Sequence, residues 1–70
     1  MKLHNSKTGV MFETLTTKNG GSYISIVRRI DGECNYMTSR EIHPTRGKAR
    51  HYSQTIAKYQ FAKHSACYGM

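Results

Sequence analysis

Apolar and polar positions alternate along three stretches of the first half of the chain, and the period then changes. Residues 9–17 (GVMFETLTT), 22–30 (SYISIVRRI) and 33–38 (ECNYMT) are rich in β-branched and aromatic side chains, which marks strands. Lys18-Asn19-Gly20-Gly21 and Asp31-Gly32 separate them. Asn and Gly tolerate positive φ, so both breaks predict tight hairpins and an antiparallel three-stranded meander over residues 9–38. Residues 1–8 are polar and without period, and read as a flexible lead-in.

From Thr45 onward Ala49, Tyr52, Ile56, Tyr59, Ala62 and Ala66 recur at intervals of 3, 4, 3, 3 and 4, the spacing of an apolar helical stripe. Lys63 falls within it and must extend its ammonium outward. Pro44 disfavours helix at His43. The capping-box pattern of Thr38 and Glu41 therefore starts no helix; residues 39–45 read as a loop and 46–67 as the helix. Two starts are open: directly after Pro44, or later with Ser53 as N-cap and a basic loop before it. The fold expected is α+β, one domain over residues 1–70 in the order β-β-β-α, with the helix covering one sheet face.

Cross-strand partners share a face. With Asp31-Gly32 as the loop, Ile30 pairs with Glu33, Arg28 with Asn35 and Ile26 with Met37. Arg29 then pairs with Cys34, Val27 with Tyr36 and Ser25 with Thr38. The first set, with Ile24, Ile26, Ile30 and Met37, is the expected core; the second, with Tyr23, Val27, Arg29 and Tyr36, is expected to face outward. In the first strand Val10 and Phe12 are placed inside in preference to Met11 and Leu15, because that keeps the Glu13 carboxylate out of the core.

At 70 residues and 8.0 kDa, with 37% hydrophobic residues and a mean hydropathy of -0.66, the chain offers no run near the roughly 20 apolar residues of a bilayer helix. The first 15 residues, with Lys2, His4 and Lys7, hold no apolar segment of a secretory signal. A cytoplasmic protein without membrane contact is expected. The net charge is +7, and it is unevenly spread: residues 1–45 carry six Lys and Arg against four acids, residues 46–70 five against none. Such polarity attracts polyanions and acidic protein surfaces.

Chemistry beyond charge is sparse. Cys34 and Cys67 are too few for a disulfide framework and read as free thiols. Cys34, His43, His51, His64 and Cys67 fit no common zinc spacing, so no metal is expected. No GxSxG elbow, HExxH or phosphate-binding glycine loop occurs, and Thr45-Arg46-Gly47-Lys48 lacks the first glycine and spacer of such a loop. No catalysis and no cofactor are expected.

Three surfaces are candidates for binding. Tyr23 and Tyr36 with Arg29 and Arg40 on the outer sheet face combine stacking rings with guanidinium forks. Arg50, Gln54, Ala57 and Phe61, beside Lys58, form a line on the outward helix face; Phe61 there is either an apolar docking anchor or folds back into the core. Arg46, Lys48 and Arg50 crowd the first helical turn, where the dipole is already positive and an anion would relieve the repulsion. The order of elements over residues 9–66 resembles small DNA-binding domains with a three-stranded sheet backed by a helix, such as the N-terminal domains of some transposon integrases. That resemblance implies contact through the exposed sheet face. In character the chain is also similar to short phage proteins that block host machinery, including anti-CRISPR proteins and inhibitors of RNA polymerase. The expectation is a non-catalytic basic protein that binds nucleic acid, or alternatively an inhibitor docked on an acidic surface of a nucleic-acid-handling protein. The first and third strands each lack a neighbour on one side, so a monomer or a weak edge-paired dimer is expected.

Overall fold

A computed structural model of the chain describes residues 1–69. In chain order it contains β1 (Lys2–His4), β2 (Met11–Asn19), β3 (Ser22–Asp31), β4 (Cys34–His43) and α1 (Arg46–Tyr68). The strands form one antiparallel sheet in the order β1-β2-β3-β4. The α+β layout with a C-terminal helix agrees with the sequence reading, but the sheet has four strands rather than three. The added strand comes from within residues 1–8, where Leu3 pairs with Phe12. A three-residue edge strand is too short to show an alternation, and non-local bonds to Asn5 secure it.

Both hairpins turn on a glycine. Asn19 pairs with Ser22 and Asp31 with Cys34, leaving the loops Gly20-Gly21 and Gly32-Glu33. Gly20 has φ 61° and Gly32 φ 62°, values that glycine adopts without the penalty a Cβ brings and that suit the first loop position of a hairpin. The second loop lies one residue later than Asp31-Gly32, so the register slides by two: Ile30 pairs with Asn35, Arg28 with Met37 and Arg29 with Tyr36. A slide of two keeps every side chain on its face.

The face that α1 covers is the opposite of the one expected. Val27, Ser25 and Phe12 are buried beneath the helix, and Tyr23 and Arg29 lie on the same side. Phe12 meets Phe61 edge-on at 6.4 Å, His43 meets Tyr52 at 4.9 Å, and the Thr38 hydroxyl donates to Gln60 Oε1 at 2.7 Å. Met11, Leu15, Ile24, Ile26, Ile30, Met37 and Ile42 share the uncovered side. The reason lies in the helix. Its buried residues are Ala49, Ser53, Ala57 and His64, and three of these are small, so the backbone of α1 rides close over Ser25 and Val27. The expected stripe starts at the same Ala49 but advances by 3.4 residues per step and so rotates away from the sheet. Tyr59 is 64% exposed, and Ala62 and Ala66 also face solvent. Val10 and Phe12 are inside, as expected.

β4 runs on to His43, through most of the expected loop at 39–45. A bulge makes the extension possible: Val27 pairs with Ser39 and Arg28 with Met37, leaving Thr38 as the extra residue. One extra residue inverts the alternation beyond it. Glu41 and His43 are thereby turned to the helix side, and Arg40 and Ile42 to the open side.

α1 begins immediately after Pro44. Thr45 is the N-cap, its Oγ1 accepting from the Lys48 N–H at 3.2 Å. Ser53, the other candidate start, is buried in mid-helix and donates its hydroxyl to the Arg50 carbonyl at 3.0 Å. The first turn holds no acid, so the cap stands alone against the basic side chains there. Thr45→Ala is expected to cost about 1 kcal/mol, measured as a lower urea midpoint with an unchanged slope. Among the described residues, no helix is long and apolar enough to cross a membrane.

Candidate nucleic-acid interface

Among the described residues, none of the cations of α1 has an acidic partner. Arg28 pairs with Glu13 at 3.9 Å and Arg29 with Asp31 at 3.5 Å. Among the described residues, no salt bridge reaches Arg46, Lys48, Arg50, Lys58 or Lys63, all of which are exposed. The paired acids lie in the sheet, so the helix keeps its full charge toward solvent.

Three of the expected residues converge. Arg46, Arg50 and Gln54 line one side of an open cleft of about 330 Å³ between α1 and β2, with Thr14, Thr16 and Met1 on the other. No carboxylate lines it. Arg46 and Arg50 are one helical turn apart, and Arg50 and Gln54 another, while Thr14 and Thr16 point to the helix side because they alternate with Phe12. The Arg46 guanidinium also stands 5.3 Å over the Tyr23 ring, a cation–π contact that holds it beside the cleft it lines. Guanidinium forks, the Gln54 amide and the Thr16 hydroxyl in one polar concavity are donors that phosphate oxygens accept from; the Thr14 hydroxyl is engaged by Met1, accepting from its ammonium at 3.1 Å and donating to its carbonyl at 3.4 Å.

The remaining expected residues are dispersed. Lys48 lines a second cleft of about 490 Å³ with His43, His51 and Tyr52 on the β4 side of the helix, and Lys58 is on its exposed surface. The Lys48 backbone N–H is already taken by Thr45, so it is not free for an anion. Tyr23 and Arg29 belong to the covered face; Arg29 stacks at 5.9 Å over Phe12. Tyr36 is half exposed at the rim of a third cleft of about 290 Å³, beside Lys63, His64 and Cys67. Arg40 sits on the open face, sent there by the bulge. Phe61 is no outward anchor: it is half-buried on Phe12 although the helix continues to Tyr68. Ala57, from the same expected outward line, is fully buried. Thr14 and Thr16 were not singled out as site residues, although their spacing from Phe12 signals the shared face.

Cys34 and Cys67 are exposed free thiols. His64 is buried, with its Nε2 at 2.8 Å from the Thr8 hydroxyl and its Nδ1 without a hydrogen-bond partner. Among the described residues no three His, Cys, Asp or Glu side chains gather as metal ligands would.

The fold and this surface define a small α+β protein, a four-stranded antiparallel meander backed by one strongly cationic helix. Compared with protein-family models, curated proteins and solved structures, the chain matches none.

Proposed function

We infer that the chain is a non-catalytic protein that binds the phosphate backbone of nucleic acid through the exposed side of α1. The observation that carries this reading is the acid-free cleft of Arg46, Arg50, Gln54, Thr14 and Thr16. Lys48 and Lys58 extend the cationic surface around the helix. Contact of this kind reads charge spacing rather than bases, so sequence preference is weak. The alternative, an inhibitor seated on an acidic protein surface, is supported less well, because Phe61, its apolar anchor, is engaged with Phe12.

The test is a mobility-shift titration with duplex DNA, single-stranded DNA and RNA at two salt concentrations. Affinity is expected to fall steeply with salt, with a log-log slope of about −0.9 per phosphate contacted on duplex DNA. The Arg46→Gln, Arg50→Gln double variant is expected to flatten that slope by about 2, one for each cation removed. Arg40→Gln, on the other side of the sheet, is expected to change nothing. No binding to any of the three at low salt would remove the reading and leave an acidic protein surface as the partner. Weakening by Arg40→Gln alone would move the interface to the open face.

A further inference from the structure

We propose that the uncovered face of the sheet is a self-association surface, on which a second copy of this chain packs to form a face-to-face sandwich with the two helices outermost. The proposal is independent of what the helix binds.

The first observation is the apolar content of the face that no element covers. The side under α1 buries Phe12 and Val27, and the open side, beside Glu13, Arg28 and Arg40, carries Leu15, Ile24, Ile26, Met37 and Ile42 in adjoining rows. Leu15 pairs with Ile26, and Ile24 with Ile42. Leu15, Met37 and Ile42 are well exposed, at 38%, 51% and 56%, while Ile24 is already buried in the single chain. A contiguous apolar patch of this kind marks an interaction surface rather than a solvated sheet.

Charge selects the occupant. Near the centre of the face Glu13 and Arg28 already neutralise each other at 3.9 Å, and Lys2, beside Glu13 on the edge strand, and Arg40 can extend to the rim along their aliphatic stems. All five unpaired cations of α1 lie on the far side. In a sandwich of two sheets about 10 Å apart, with each helix about 10 Å beyond its sheet, the helices stand about 30 Å from each other. That is several times the screening length of about 8 Å at physiological salt. Two chains can therefore meet through this face without opposing the charge of their helices, with Lys2 and Arg40 left to reach solvent at the rim.

Size agrees. The Cα envelope is 40 × 22 × 14 Å, and its broad face is of the order of the 800 Å² that each partner contributes to a standard interface. Edge pairing fits less well: the free edge of β4 carries the bulge at Thr38 and the charges of Arg40 and Glu41, the features that discourage strand addition.

Sedimentation equilibrium over about 1 to 200 μM protein, the range that reads a micromolar dissociation constant, is expected to give twice the 8.0 kDa chain mass at the upper end. Leu15→Glu and Met37→Glu each place a carboxylate on the face while lowering the net charge. They are expected to weaken association at least about tenfold, although reduced repulsion alone would strengthen it. Tyr59→Glu, on the exposed helix surface, is the control and keeps the dimer. Both tested side chains are exposed in the single chain, so folding does not rest on them; circular dichroism checks this, and either variant suffices. A mass of 8.0 kDa at every concentration overturns the proposal, leaving the face to a different protein. A dimer insensitive to both variants also overturns it, because the contact then lies elsewhere.

Discussion

Phe12→Ala is expected to leave the chain largely unfolded at room temperature. Phe12 is only 3% exposed and is the point where every layer meets. Its ring lies edge-on to Phe61 at 6.4 Å and to His64 at 6.0 Å. The Arg29 guanidinium covers it at 5.9 Å, and its backbone pairs with Leu3 on one side and Arg29 on the other. Truncating a buried phenylalanine costs about 3–5 kcal/mol, against a total of about 5–15 kcal/mol for ordinary domains, with small ones near the lower end. Urea titration followed by circular dichroism is expected to show a midpoint near zero. Tyr59→Ala, on the exposed helix surface, should stay within about 0.5 kcal/mol of the parent. A loss below about 1 kcal/mol in Phe12→Ala would mean that the core lies elsewhere.

Asn5→Ala is expected to cost about 2–6 kcal/mol, from four side-chain hydrogen bonds at about 0.5–1.5 kcal/mol each. Asn5 is fully buried. Its Nδ2 donates to the Gly69 carbonyl at 2.7 Å and to Ser65 Oγ at 3.2 Å. Its Oδ1 accepts from the N–H groups of Lys7 at 2.9 Å and Thr8 at 3.0 Å. Its own backbone closes the turn, donating to the Val10 carbonyl and accepting from the Gly9 N–H, each at 2.8 Å. One amide thus ties the turn after β1 to the last turn of α1. Alanine keeps the backbone bonds and strips the rest, so hydrogen exchange is expected to quicken first in β1 and at the C-terminal end of the helix. Asn5→Asp retains the two acceptor bonds but loses both donors and buries a charge; it is expected to be no more stable than Asn5→Ala. Unchanged exchange at both ends of the chain in Asn5→Ala would separate the two segments energetically.

Local signals carried much of this fold. Asn19-Gly20-Gly21 and Asp31-Gly32 punctuate the strands because the hairpin loops need positive φ. Pro44 followed by Thr45 starts the helix, because a proline disfavours helix before it and the threonine hydroxyl caps the first turn after it. The concentration of cations after residue 45 is likewise read directly, and Arg46, Arg50 and Gln54 come together because helical spacing alone brings them to one side. The ranking of faces failed. Isoleucine content favoured Ile24, Ile26 and Ile30 as the core; Ile24 is buried, at 7% exposed, but Ile26 and Ile30 are not, and Val27, Ser25 and Phe12 lie under the helix. Tyr23 and Arg29, expected outside, are inside for the same reason.

The amino-acid order by itself determined three of the four strands, both turns to within a residue, the helix and its charge, because each arises from spacings of a few residues. It also determined which side chains share a face, since alternation survives a two-residue slide. Only the folded chain decided which face is covered, because that depends on how closely the small residues of α1 seat on Val27 and Ser25. It decided the placement of Arg40 and Ile42, because a single inserted residue at Thr38 reverses the alternation. It also decided that residues 2–4 become a strand, because the bonds holding Asn5 to Ser65 and Gly69 join positions 60 and 64 residues apart, beyond the reach of any local pattern.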